Sequence, residues 1–217
     1  MISQELESSK INKFLILRII LLSIGLVITA LGITLMYKST LGTNPMATVC
    51  DGLSRILGIS YGSANTIINV LFLVAVLILS RKNIGIGTVI TVFTLGLYMN
   101  FWKWVLPELN NDISLITKII ISLIGTVVSS MGLSFYIQFE LGMGPLECLV
   151  EFIHEKTKLE YKVAKTLFDA LLLILGILMG GAFGIGTGLN VLLTGKLMGN
   201  FIEFHQKYLG GIYKLIL

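Results

Sequence analysis

The sequence predicts an all-α membrane protein of six transmembrane helices, built as two inverted three-helix repeats, each with a short amphipathic helix after its first span. Three observations predict this: the composition, a repeat at a spacing of 100 residues, and the distribution of Lys and Arg. The 217-residue chain is 55% hydrophobic and 13% charged, too little polar surface for a soluble domain of its length. Phe14 to Met36 holds one charge, Arg18, and Ile119 to Phe139 holds none. About 20 apolar residues at 1.5 Å rise cross a bilayer core of roughly 30 Å.

The repeat emerges when the sequence slides by 100 positions. Gly25 falls on Gly125, Gly32 on Gly132, Leu41-Gly42 on Leu141-Gly142 and Pro45 on Pro145. Asp51 then meets Glu151, Tyr61 meets Tyr161, Ala64 and Thr66 meet Ala164 and Thr166, and Asn69 meets Asp169. One residue is lost, and Gly-Ile-Gly-Thr at Gly85 meets the same four residues at Gly184. An ordered series at one offset marks an internal repeat. It divides the chain into a tail at 1–12, a first repeat at 13–110 and a second at 111–217, all one membrane domain.

Each half contains three long apolar segments, near 14–37, 61–80 and 86–105, then 116–138, 161–180 and 185–204. Three is odd, so the second half enters the membrane from the opposite side. With the N-terminus inside, Lys10, Lys13, Arg18, Arg81, Lys82, Lys156, Lys158, Lys162, Lys165, Lys207 and Lys214 are cytoplasmic, and Lys38, Arg55, Lys103 and Lys118 are outside. This bias places both termini in the cytoplasm. The first run is too long for a signal peptide, and no small-x-small site follows it. Trp102 and Trp104 are expected at the outer interface.

The short helices, 45–57 and 145–157, follow from local chemistry. Asn44 suits an N-cap and Pro45 the first helical position. Gly144 and Pro145 repeat the pattern, with Glu147 in the first turn, where the helix dipole favours an acid. Met46, Val49, Cys50, Leu53 and Ile56–Leu57 form one apolar stripe, with Thr48, Asp51 and Arg55 opposite. Such a helix either lies along the bilayer surface or enters the protein and presents its N-terminal N–H groups, at Asn44–Pro45 and Gly144–Pro145, to a ligand.

Polar residues inside the spans are the candidate substrate or ion pathway: Asn69, Asp169, Asn190, Lys196 and Tyr98, with Asn100 beside the last. The short turn near Phe183 makes the fifth and sixth spans antiparallel neighbours. Asp169 and Lys196 are then at equal depth and are expected to pair, with Lys165 the competing partner one turn away. Arg18 and Lys165 are near enough to helix ends to snorkel. Gly25, Thr29 and Gly32, with Gly125, Ser129 and Gly132, predict close contact between the first helices of the two halves.

Other classes lack support. The basic residues form no cluster with aromatics, so nucleic acid is not expected as a partner. Cys50, Cys148, His154 and His205 have no metal-ligand spacing, and no cofactor is implied. No nucleophilic triad or carboxylate pair appears, so the chain reads as a non-enzyme. The partners expected are the lipid bilayer, an unidentified small-molecule substrate, and a second copy or another membrane protein.

Leu41-Gly42-x-x-Pro45, then Gly-Ile-Ser-Tyr-Gly at Gly58, then Gly-Ile-Gly-Thr at Gly85 resemble the YczE/YyaS/YitT group of bacterial membrane proteins, most closely its YczE-like branch. The resemblance implies a bacterial plasma-membrane protein and no particular activity. Two functions from different classes follow from the residues: a small secondary transporter or exporter, or a non-transporting accessory or scaffold subunit.

Overall fold

The computed structural model describes residues 2–109 and 113–216, with side chains over 14–109, 113–160 and 163–208. The expected boundary between the repeats, at 110–111, lies outside the described residues. These residues form α-helices and no strand: α1 (Ile2–Lys38), α2 (Pro45–Leu57), α3 (Tyr61–Leu79), α4 (Ile86–Val105), α5 (Leu115–Ile137), α6 (Pro145–Thr157), α7 (Tyr161–Leu178) and α8 (Ile185–Ile216). The expected tail at 2–12 is a helical continuation of α1, and α8 runs past the expected end at 204.

The boundaries come from caps. Asn44 accepts from the Ala47 N–H at 2.7 Å, with Pro45 at the first helical position of α2. Ser60 and Ser114 cap α3 and α5 in the same way. Both short helices end in a left-handed residue, Gly58 at φ 63° and Lys158 at φ 59°. The turns before them match too: Thr40 and Glu140 have φ 60° and 51°, and Gly42 and Gly142 have φ 92° and 110°. The two halves therefore repeat their backbone conformation at the 100-residue spacing.

Phe14–Lys38, Tyr61–Leu79 and Leu115–Ile137 are long and apolar enough to cross a membrane, with mean hydropathies of 2.6, 2.2 and 1.8. α1 and α5 cross in backbone contact at the stripe of small residues. A Cβ on Gly32 would lie 2.3 Å from the Ser129 nitrogen, and one on Gly132 2.5 Å from the Thr29 nitrogen. α4 packs on α1, and α8 packs on α5.

The halves also exchange contacts. Leu41 O accepts from the Gly186 N–H at 2.8 Å, and Leu141 O accepts from the Gly87 N–H at 2.7 Å. Thr48 Oγ1 donates to Ala182 O at 3.2 Å, and its counterpart, the Cys148 thiol, donates to Asn83 O at 3.5 Å. The Leu-Gly turn of each half thus docks on the Gly-Ile-Gly-Thr of the other. At Gly42 a Cβ would fall 2.2 Å from Thr187 Oγ1, and at Gly142 2.6 Å from the Gly85 nitrogen. No larger residue fits in either turn.

Candidate functional site

α2 and α6 begin inside the protein. Pro45 and Ala47 through Gly52 are buried in α2, and Pro145, Leu146 and Cys148 through Val150 in α6. Their apolar residues meet Tyr61, Ala64 and Ile68 of α3 and Ala164 and Leu172 of α7 in one core. A helix on a bilayer surface would leave one long face outside the protein; here both N-terminal halves are enclosed.

The polar face of α2 is turned inward. Thr48 is fully buried and Asp51 is 1% exposed, whereas Ile56 is 62% exposed. Thr48 and Asp51 hold the Ala182 peptide from both sides: Thr48 Oγ1 donates to its carbonyl, and Asp51 Oδ2 accepts from its N–H at 2.7 Å. Arg55 Nε donates to the same Oδ2 at 3.0 Å. The sequence places Asp51 opposite the apolar stripe and assigns it no partner. Its spacing to Arg55 was visible in the sequence; the loop it binds, 131 residues away, was not.

At α2's N-terminus the Asn44 side chain already accepts from a backbone N–H. At Gly144, before α6, no side-chain cap bond is made. Glu147 folds back so that its Oε2 lies 2.3 Å from where a Gly144 Cβ would stand. An anion beside a helix N-terminus is electrostatically favoured.

The expected pair between Asp169 and Lys196 does not form. Asp169 Oδ1 accepts from Lys165 Nζ at 2.6 Å, one turn back on α7, and Lys196 is exposed on α8. The depth estimate required α7 and α8 to be side by side. Instead the loop between them is fastened to α2, α7 leans on α2, α8 packs on α5, and among the described residues α7 barely touches α8. Lys165 therefore does not snorkel away from the site. Nor does Arg18: Nε donates to Phe139 O at 3.0 Å and Nη2 donates to the same carbonyl, across to the end of α5.

The other candidates are dispersed. Asn69, 5% exposed, donates to Asn65 Oδ1 at 2.9 Å and to Asn65 O at 3.0 Å. Asn65 in turn reaches the Cys50 sulfur at 3.7 Å. Asn190 is buried elsewhere, with Nδ2 3.3 Å from the Met36 sulfur. Tyr98 packs half-buried at the edge of the cores around α1. Asn100 binds the Gly62 N–H at 3.1 Å, and Trp104 is 83% exposed, as an interfacial anchor would be. The charged site that does assemble is Lys165 and Asp169, with Glu147 within electrostatic reach of both. Two acids and one base can bind and release a cation or exchange a proton. Among the described residues no three His, Cys, Asp or Glu side chains could share a metal ion.

Three curated proteins are similar over most of the chain. An uncharacterized protein of Bacillus subtilis (strain 168), YyaS, is 34% identical over 185 residues, covering 85% of this chain and 92% of the relative. The uncharacterized membrane protein YczE of the same organism is 28% identical over 175 residues, 80% of each. An uncharacterized protein of Haemophilus influenzae is 24% identical over 183 residues, 84% of this chain and 82% of the relative. No solved structure matches. Apolar helices of spanning length and a relative named as a membrane protein identify a membrane protein. The model of a family of unknown function, DUF6198, matches residues 16–203, and the chain belongs to that family.

Proposed function

We propose that the protein is a small secondary transporter or exporter of a small molecule in the bacterial plasma membrane, with both termini cytoplasmic. The observation that supports this reading is the Lys165–Asp169 pair, with Glu147 nearby, set against two helices that begin inside the protein. Ionisable groups at membrane depth cost several kcal/mol and in membrane proteins mark substrate or ion pathways. Helices broken within the membrane, from paired repeats, are the usual frame for such sites. The exchanged contacts between halves support six spans in two inverted repeats, in which α5, α7 and α8 repeat α1, α3 and α4 at the 100-residue spacing. α4, at 20 residues, is about 30 Å long at 1.5 Å per residue.

A ligand-stabilisation screen of the purified protein, with hits tested for uptake into proteoliposomes, examines this reading. Wild type should accumulate a stabilising ligand saturably. Lys165→Asn/Asp169→Asn, which copies the amide character of α3, should stay folded and lose uptake. Uptake unchanged in that variant removes the ion pair from the mechanism.

A non-transporting scaffold subunit is the second reading, and the packed centre favours it. Side chains of α1, α2, α3, α6 and α7 close one core between the halves. A cleft of about 450 Å³ lies instead at the loops, between Lys82–Ile86 and Glu140–Met143. A partner membrane protein retained through purification, with no ligand-dependent stabilisation, would select this reading.

A further inference from the structure

Only one oxygen of the Asp51 carboxylate is used by the contacts described above. Oδ2 accepts from the Ala182 N–H and from Arg55, whereas Oδ1 is buried with no hydrogen-bond partner in the protein. The hydroxyl of Tyr61, a residue 4% exposed, is likewise buried without a protein partner. A buried polar group that nothing pairs bears its full desolvation cost, so each such group calls for a physical account.

The two groups share one neighbourhood. The Tyr61 ring packs on the Tyr37 ring, with centroids 4.7 Å apart. Tyr61 is in electrostatic contact with Cys50, Tyr37 and Asp51, and Tyr37 with Asp51 and Arg55. Thr43, 3% exposed, stands beside the Tyr61 hydroxyl without completing a hydrogen bond. A carboxylate oxygen and three hydroxyls therefore gather where α2 meets the end of α1 and the start of α3. The second half has Ile137, Met143 and Glu151 at the positions of Tyr37, Thr43 and Asp51. It supplies two apolar groups where the first half supplies hydroxyls.

Charge selects the occupant. Arg55 already matches the Asp51 carboxylate at 3.0 Å, and the Lys103 ammonium lies 4.8 Å from the Tyr37 ring centroid. A cation would join two positive groups, and an anion would face the carboxylate. A neutral molecule that donates to Asp51 Oδ1 and accepts from Tyr61 satisfies both. Water is the smallest such molecule, and buried waters make about three hydrogen bonds of this kind.

We propose that Asp51, Tyr61, Tyr37 and Thr43 form a binding site for one ordered water molecule. The water donates to Asp51 Oδ1 and accepts from the Tyr61 hydroxyl, with Tyr37 and Thr43 as further partners. Its place completes a polar chain. Asn69 donates to Asn65, and Asn65 reaches the Cys50 sulfur. Tyr61 and the water carry the chain on to Asp51 and to Arg55, whose side chain is 60% exposed. Polar contact then runs from the buried amides of α3 to the surface, apart from Lys165 and Asp169. The inference is independent of whether the protein transports.

Radiolytic hydroxyl labelling of the full chain in isotopically marked water tests for the molecule itself, because radicals formed from a bound water mark the side chain beside it. Tyr61 should be labelled several-fold faster than Tyr136, which is 2% exposed. Thermal unfolding of the detergent-solubilised protein supplies a second reading. Tyr61→Phe should lower the melting temperature by about 2–4 °C, the shift for one hydrogen bond in a chain of this size. The same change in an Asp51→Ala background should have little effect, because the two residues act through one water. The labelling needs no variant, so it decides the matter even where Asp51→Ala fails to fold. Tyr61 labelled no faster than Tyr136 overturns the site. So does a Tyr61→Phe protein more stable than wild type, the result for a hydroxyl that nothing pairs. A stabilisation by sodium over choline salt that Tyr61→Phe abolishes also overturns it, by assigning the place to a cation.

Discussion

Asn65 and Asn69 on α3 and Lys165 and Asp169 on α7 occupy matched positions in the two halves, with the same one-turn spacing and opposite chemistry. The amides bond to each other and to their own helix, and are 3% and 5% exposed. The charged pair is more open, with side chains 34% and 13% exposed. The half with the neutral pair has its two later helices zipped together; the half with the charged pair has them apart. Interior charge and local openness thus occur together, as the cost of desolvating ions leads one to expect. One backbone plan carries both versions.

The comparison can be broken most strongly at the charged pair. Lys165→Met leaves Asp169 without its partner and should cost about 3 kcal/mol, the lower end for stranding a buried charge, because the pair is only partly buried. Lys165→Asn/Asp169→Asn should restore most of that loss in thermal unfolding of the detergent-solubilised protein. If the double variant is as unstable as the single one, the matched amide pair is not a fair model of the charged one.

Next come the helix contacts. Gly96→Ala should lose about 1–3 kcal/mol through overpacking against α3. Gly195→Ala, at the equivalent position, should remain within about 0.5 kcal/mol of wild type or gain slightly in helix propensity. Equal effects at the two sites would mean that α8 is covered in the membrane. At the next level, Asp51→Ala removes the acceptor for the Ala182 N–H and Arg55, at about 1–3 kcal/mol. Glu151→Ala, its repeat counterpart, should cost less in the same unfolding assay.

The smallest effect is expected at Lys82, whose ammonium bonds the Glu155 carboxylate on the exposed end of α6. That hydrogen bond, with the charge of Glu155, raises the Lys82 pKa above its ordinary value. Any contribution is therefore complete at neutral pH and is lost only as pH rises through the raised value. Lys82→Ala should leave the melting temperature unchanged between pH 6 and 8, a window well below any lysine titration. A clear shift there would show that the α6 contact carries weight comparable to that of Asp51.

Much of the fold was legible because its signals are local. The short helices span the expected 45–57 and 145–157, since Asn44, Pro45, Pro145 and the left-handed Gly58 and Lys158 act within one turn of the residues they stop or start. The small-residue contact of α1 with α5 was legible from spacing alone. The site was only half legible. Asp169 was singled out by its depth in an apolar run, but the partner chosen was wrong, and Asp51 was missed because a polar stripe facing another loop reads like one facing water.

The sequence by itself determined where the short helices begin and end, which residues repeat, and that Asp169 stands in an apolar run. Those properties depend on caps, turn conformations and apolar periodicity within a few residues. Only the tertiary structure decided that Asp169 pairs with Lys165 rather than Lys196, that Asp51 fastens the Ala182 loop, and that α7 leans on α2 and away from α8. Each of these depends on which surfaces meet across roughly 30 to 130 residues of chain. A short connection limits how far apart two helices can begin; it does not make them pack, and here hydrogen bonds between the connecting loop and Thr48 and Asp51 of α2 hold α7 to a different neighbour.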